Sequence, residues 1–159
     1  MTTADSLFDQ QLQQRGLVFE DDIQPGANYA VAVEHGGQVW ISGQVPRLQG
    51  RIVATGRVGQ ELTLEQARHG AAVSTLRALA ILRQQLGSLG RVERILRVTV
   101  FVQSADGFTQ QSEVADACSE ILYTVFAPHG GHTRSSVGVW QLPKNAAVEI
   151  DMVAAVRPA

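Results

Sequence analysis

Arg134 is the one charged side chain in the strand-like run TRSSVGV (133–139), and Glu149 stands in the apolar run AVEIDMV (147–153), two residues before Asp151. A guanidinium is planar and carries its donors as a fork, so it grips a carboxylate through two parallel hydrogen bonds, and partial burial strengthens them. A carboxylate in an apolar run is costly to desolvate unless it is paired. Desolvation moves its pKa toward that of a general base able to take a proton from water, whereas a nearby arginine keeps it ionised. Two readings follow. Arg134 holds an anionic substrate while Glu149 activates water, or Arg134 is a structural partner of Glu149 or Asp151 on a neighbouring strand. Side chains alternate along a strand, so Arg134, Ser136 and Gly138 share one side, and Glu149 and Asp151 share a side of theirs. On the residues alone, Arg134 with Glu149 is the best pair for chemistry.

Other chemistry-bearing residues are less well placed. His129-Gly-Gly-His132 is the one close histidine pair, with His35 and His69 far off in sequence. Catalytic zinc needs three protein ligands and an open position, so the expectation is a loop with two mobile histidines and no metal. Gly56–Gly59 and Gly87–Gly90 lack the following lysine and the strand-to-helix setting of a phosphate-binding loop, and no nucleotide cofactor is expected. Ser135 and Ser136 lack the G-x-S-x-G turn that exposes a nucleophilic serine. Cys118 falls on an apolar helical stripe as a small core residue. Tyr29 is a strand-start aromatic or a hydroxyl lining a cleft.

The elements that must carry these residues read clearly. YAVAVEH and QVWISGQV (29–35 and 38–45) are strand-like runs around Gly36-Gly37, a pair that supplies the positive φ angles of a two-residue hairpin. A second hairpin turns at Leu48-Gln49-Gly50, after a strand ended or kinked by Pro46. Thr63 and Gln66 form a capping box that opens a helix to Leu86, stopped by Gly87. Ala72, Leu76, Leu79, Leu82 and Leu86 give that helix one apolar face. In ILRVTVFVQ (95–103), Leu96, Val98, Val100 and Val102 are expected to face the helices. A second helix runs from about Thr109 to Val125, with Val114, Ala117, Cys118, Ile121, Leu122 and Val125 inward. Strands at 133–139 and 147–156 complete an α+β fold, a mixed sheet with two helices packed on one face. The other face, with Arg97, Thr99, Phe101, Glu149 and Asp151, suits a subunit interface. Residues 1–16 read as a short N-terminal helical extension, and 17–159 as a single α+β domain.

Composition narrows the function. The 159 residues carry 13 basic and 15 acidic side chains, a formal charge of −2, so no electrostatic footprint for nucleic acid is present and none for a membrane surface. One cysteine, a polar first segment and no long apolar run lead to the expectation of a soluble, cytoplasmic protein.

Taken together, SGQVP (42–46), VTVFVQSADGF (98–108) and TRSSVGVWQLPKNAAVEIDMVA (133–154) resemble the RidA family, also called YjgF-like or L-PSP endoribonuclease-like proteins. ANYAVAV and HGGHTRSSVGV look closer to a longer branch of it. The resemblance implies a chorismate-mutase-like subunit in a homotrimer with clefts between subunits. It also implies cofactor-independent hydrolysis of enamine and imine intermediates, such as 2-aminoacrylate, to 2-keto acids and ammonia. By the same resemblance the carboxylate-binding arginine is Arg134, the acid that positions water is Glu149, and the cleft tyrosine is Tyr29. Gly43 and Ser136 are cleft contacts, and Ser112 stands where an asparagine is common. Ser136 itself replaces a cysteine frequent in active members. Two alternatives accompany this reading: a non-catalytic trimer that binds a small carboxylate in a regulatory or chaperone-like role, and an endoribonuclease.

Overall fold

A computed structural model describes residues 1–159. Its helices are α1 (Ala4–Arg15), α2 (Leu64–Leu86) and α3 (Gln111–Val125). The strands are β1 (Ala32–His35), β2 (Gln38–Gln44), β3 (Arg47–Leu48), β4 (Arg51–Ile52), β5 (Val92–Gln103), β6 (Thr133–Val139) and β7 (Val148–Val156). Five strands form one sheet in the order β1-β2-β7-β5-β6, and β3 with β4 forms a separate ribbon. Only β5 and β6 pair in parallel, because α3 crosses over between them; the remaining pairs are antiparallel.

Local chemistry explains the boundaries. Gly36 and Gly37 take φ of 59° and 75°, the geometry of a type I′ turn, and join β1 to β2. Thr63 and Gln66 close the reciprocal capping box at the start of α2, and Gly87 ends the helix in the left-handed region. α3 starts at Gln111 with no side-chain cap, two residues later than its apolar periodicity suggests. β1 starts at Ala32 rather than Tyr29, since Ser42 bonds the preceding segment irregularly: its N–H donates to the Val31 carbonyl and its hydroxyl to that of Ala30.

α2 and α3 cover one face of the sheet, as expected, and bury Leu76, Leu79, Leu82, Ile121 and Leu122 against Val98, Val100, Ile150 and Met152. Burying a side chain of this size contributes about 1.5–3 kcal/mol. One face assignment on β5 is corrected. Ile95 is fully buried and Leu96 only half-buried, because a bulge between Ile95 and Arg97 resets the alternation. α1 is tied to the helical layer: Phe8 is fully buried, Asp9 pairs with Arg83, and Asp5 accepts from the Leu89 N–H and the Ser88 hydroxyl.

Register decides which way the chemistry-bearing side chains point. Arg134, Ser136 and Gly138 on β6 lie beside Val98, Val100 and Val102 on β5, the set that faces the helices. Glu149 and Asp151 on β7 lie beside Phe101 and Thr99, which face away from them. The open face also carries Trp40 and Val33, each more than half exposed.

Candidate functional site: two half-sites on one chain

The sheet separates Arg134 from Glu149. They belong to opposite faces, so neither the paired catalytic arrangement nor the strand ion pair expected from the sequence exists within one chain. What the structure brings together instead is Arg134 with Ser112 and Ser136, and Glu149 with Tyr29 and Gly43.

Arg134 lies on the edge strand β6 and reaches up to α3. Its Nη1 donates to Asp116 Oδ1 at 2.9 Å and to Ser119 Oγ at 3.1 Å. Both hydrogens of Nη1 are thereby committed. Nη2 makes only a long 3.5 Å contact with the Ser112 carbonyl, and no hydrogen bond involves Nε. The Nε–Nη2 edge is left as a fork for a planar anion. The Ser112 and Ser136 hydroxyls meet at 3.3 Å beside it. At Gly138 on the same side of β6, a Cβ would come within 2.9 Å of Gln111 Nε2 and 3.1 Å of Ser104 Oγ, so α3 and the end of β5 crowd the strand there. Asp116 and Ser119 are functional candidates that reading the sequence for strand partners missed. The signal was present as a polar row, Ser112, Asp116 and Ser119, at i, i+4 and i+7 beside the apolar stripe of α3.

Glu149 lies on the other half-site, in a cavity of about 540 Å³ whose walls include Tyr29, Gly43, Arg47, Lys144 and the Arg77–Glu20 pair. No hydrogen bond ends on its carboxylate, which is half-buried. Burial, and secondarily the like charge of Asp151, hold its carboxyl above the usual carboxylate range. The carboxylate lies directly over Gly43, in the bulge of β2 between Ile41 and Gln44. A Cβ there would sit 2.2 Å from Glu149 Oε1. Only a glycine leaves that space open.

Support for this wall is built from charge pairs. Arg77, nearly buried on α2, donates through Nη1 to both oxygens of Glu20 at 3.1 Å and through Nε to Gln44. Burial alone would raise the Glu20 pKa, but its own backbone N–H and Arg77 outweigh burial and hold it below the usual range. Gln103, fully buried, bonds Asn145 Oδ1 and the Leu142 N–H, and so fixes the 142–145 loop that carries Lys144.

Of the two histidines expected to be mobile, His132 is tied down by its contacts. His132 is bonded at both ring nitrogens, to Ser119 Oγ at 2.9 Å and to the Gly130 carbonyl at 2.8 Å, while His129 remains exposed. Cys118 is buried, and burial pushes its thiol up to about 11, an inert core position. No three histidine, cysteine or acidic side chains converge as metal ligands. No helix is long and apolar enough to cross a membrane.

Comparison with known proteins agrees with the fold and the motifs. The chain is 38% identical over 141 residues to Protein TCP17 of Trypanosoma cruzi, covering 88% of each. It is 28% identical over 133 residues to a 2-iminobutanoate/2-iminopropanoate deaminase of Dermatophagoides farinae, covering 84% of this chain and 89% of that protein. The crystal structure of Atu1372, a protein of unknown function from Agrobacterium tumefaciens, superposes with a TM-score of 0.88 at 30% identity, over 97% of this chain and 95% of that one. Because residues 19–156, nearly everything after α1, match the Endoribonuclease L-PSP family, the chain belongs to that family, the YjgF/RidA group.

Proposed function

We propose that this protein hydrolyses small 2-imino acids, and the enamines that tautomerise to them, to 2-keto acids and ammonia, at sites formed between copies of the chain. The observation that carries the proposal is the division into two complementary halves. One half presents a free guanidinium edge flanked by hydroxyls, and the other a half-buried carboxylate with no donor. Neither half is a complete catalyst, and the sheet keeps them apart in one chain. An edge strand bearing Arg134, and an open sheet face bearing Trp40, Val33 and Glu149, fit a heterologous contact in which the β6 edge of one copy lies over the open face of the next. Closure of such contacts into a ring of three, the homotrimer that the family resemblance implies, would place a site at each seam.

At such a seam the Nε–Nη2 fork of Arg134 holds the substrate carboxylate and fixes the position of C2. With the imine nitrogen protonated, Glu149 takes a proton from water as the oxygen adds to C2 and the C=N π pair moves to nitrogen, giving a tetrahedral amino alcohol. Glu149 then returns that proton to nitrogen; the C–N bond breaks as the hydroxyl gives its proton back to Glu149 and its O–H pair forms the C=O bond, and ammonia leaves with the 2-keto acid. A base held above the ordinary carboxylate range is stronger at neutral pH than a solvated one, and a reactive imine needs little beyond positioning. The similarity to a named 2-iminobutanoate/2-iminopropanoate deaminase supports the substrate class.

The test generates 2-iminopropanoate or 2-aminoacrylate in situ and follows the keto acid and ammonia. Acceleration by the wild-type protein, lost in Arg134→Ala and in Glu149→Gln, is the expected result. Mixing the two inactive variants should restore part of the activity, since a seam can then pair an intact Arg134 with an intact Glu149. Pyruvate binding that needs Arg134 but not Glu149, with no acceleration, would replace the enzyme by a carboxylate-binding protein.

A further inference from the structure

The histidine of the HGGH loop is left without a role by the chemistry above, and its contacts define one. The Gly130 carbonyl has no hydrogen to give, so its 2.8 Å bond with His132 Nδ1 requires the proton on Nδ1. In the neutral ring Nε2 is then an acceptor, and its 2.9 Å partner, the Ser119 hydroxyl, must donate to it. With its proton directed at His132, Ser119 Oγ offers lone pairs to Arg134 Nη1 at 3.1 Å. Each donor and acceptor in the row Arg134, Ser119, His132, Gly130 is therefore set by the next. The far end of the row is anchored by shape. A Cβ on Gly130 would lie 2.5 Å from the Tyr123 Cα and 2.8 Å from the Leu122 carbonyl, so the loop is pressed onto the end of α3. His132 is also packed at its side by the Tyr123 ring, with centroids 5.6 Å apart.

We propose that Ser119 and His132 are positioning residues for Arg134: Asp116 and Ser119 each accept one hydrogen of Nη1, His132 orients the Ser119 hydroxyl, and the three so aim the Nε–Nη2 edge at the substrate carboxylate. Asp116 supplies the opposite charge, while the serine and histidine supply direction, because an ion pair alone permits the planar guanidinium to swing about Cδ–Nε. This assignment rests on the carboxylate-binding role of Arg134 given above. It adds the prediction that residues one and two contacts behind the guanidinium govern substrate affinity.

The experiment compares Ser119→Ala, His132→Ala and His132→Gln with wild type. Gln can place an acceptor where Nε2 stood. Two readouts are taken: KM and kcat for 2-iminopropanoate, and hydrogen exchange of the Arg134 side-chain N–H groups by NMR, assigned with Arg134→Lys. Loss of one aligned hydrogen bond corresponds to a three- to tenfold change. Ser119→Ala and His132→Ala should raise KM by about that factor with kcat within twofold, because binding of the carboxylate is common to ground and transition states. Exchange at Nη1 should quicken by a similar factor in both alanine variants, and His132→Gln should return both readouts toward wild type. Unchanged Nη1 exchange in Ser119→Ala and His132→Ala, or a His132→Gln protein no different from His132→Ala, overturns the proposal. If the wild-type protein hydrolyses no imine, the function falls, and the exchange measurements alone still decide the positioning claim.

Discussion

Gly43→Ala isolates the contribution of one carboxylate position. Gly43 has no positive φ, so alanine fits its backbone, and the three atoms nearest the added Cβ all belong to the Glu149 side chain: Oε1 at 2.2 Å, Cδ at 2.9 Å and Cγ at 3.2 Å. An ordinary contact between a methyl carbon and a carboxylate oxygen is longer by about 1 Å, and the side chain is the flexible partner, so the carboxylate gives way rather than the sheet. A misplacement of about 1 Å at a reacting group costs on the order of 100-fold, or about 2.7 kcal/mol of barrier. The prediction is a kcat lower by one to two orders of magnitude, KM within threefold, and a melting temperature within a few degrees of wild type. Steady-state hydrolysis of 2-iminopropanoate alongside thermal unfolding reads all three. The double variant Gly43→Ala/Glu149→Gln should be no slower than Glu149→Gln alone, since the group that Gly43 accommodates is already disabled. A Gly43→Ala enzyme with wild-type kcat, or full additivity in the double variant, refutes the placement of Glu149 as the base.

Three further outcomes follow from the same geometry. Because the folded protein holds Glu149 above its unfolded pKa, ionising it opposes folding: the penalty is absent below the unfolded carboxylate pKa and complete above the folded one. Glu149→Gln should therefore raise the melting temperature near neutral pH, the gain should vanish as pH falls through the carboxylate range, and the alkaline rise of the wild-type rate through the same window should be missing. Arg134→Lys keeps the charge but loses the fork, so pyruvate affinity measured by calorimetry should fall at least tenfold while Tm changes little; equal binding by Lys would rule out bidentate capture. Glu20→Ala leaves the Arg77 guanidinium, 6% exposed, without its carboxylate and should cost about 2 kcal/mol in urea unfolding. A cost near zero would mean that water replaces Glu20 without loss.

Local chemistry made most of the fold legible. The Gly36-Gly37 turn, the Thr63–Gln66 capping box, the Gly87 stop and the apolar stripes of α2 and α3 each depend on residues a few positions apart, and such short-range interactions are written directly into the chain. The β5 bulge escaped this reading, because strict alternation assigns Leu96 inward and nothing in the local residue types marks the extra residue. The motifs around Arg134 and Glu149 also identified the family.

Faces and partners were decided elsewhere. Alternation along β6 groups Arg134 with Ser136, and along β7 groups Glu149 with Asp151, but it cannot tell which of the two sets faces the helices. That depends on register against β5, a long-range pairing of Val98 with Arg134 and of Phe101 with Glu149. The register turned an expected pair into two separate half-sites, brought Asp116 and Ser119 of α3 to Arg134, and gave the HGGH loop a fixed histidine. Sequence alone therefore determined which groups are available and which elements carry them. Tertiary structure decided which groups meet, because side-chain direction across a sheet changes sides with a one-residue shift in pairing, and only the packed chain selects the shift.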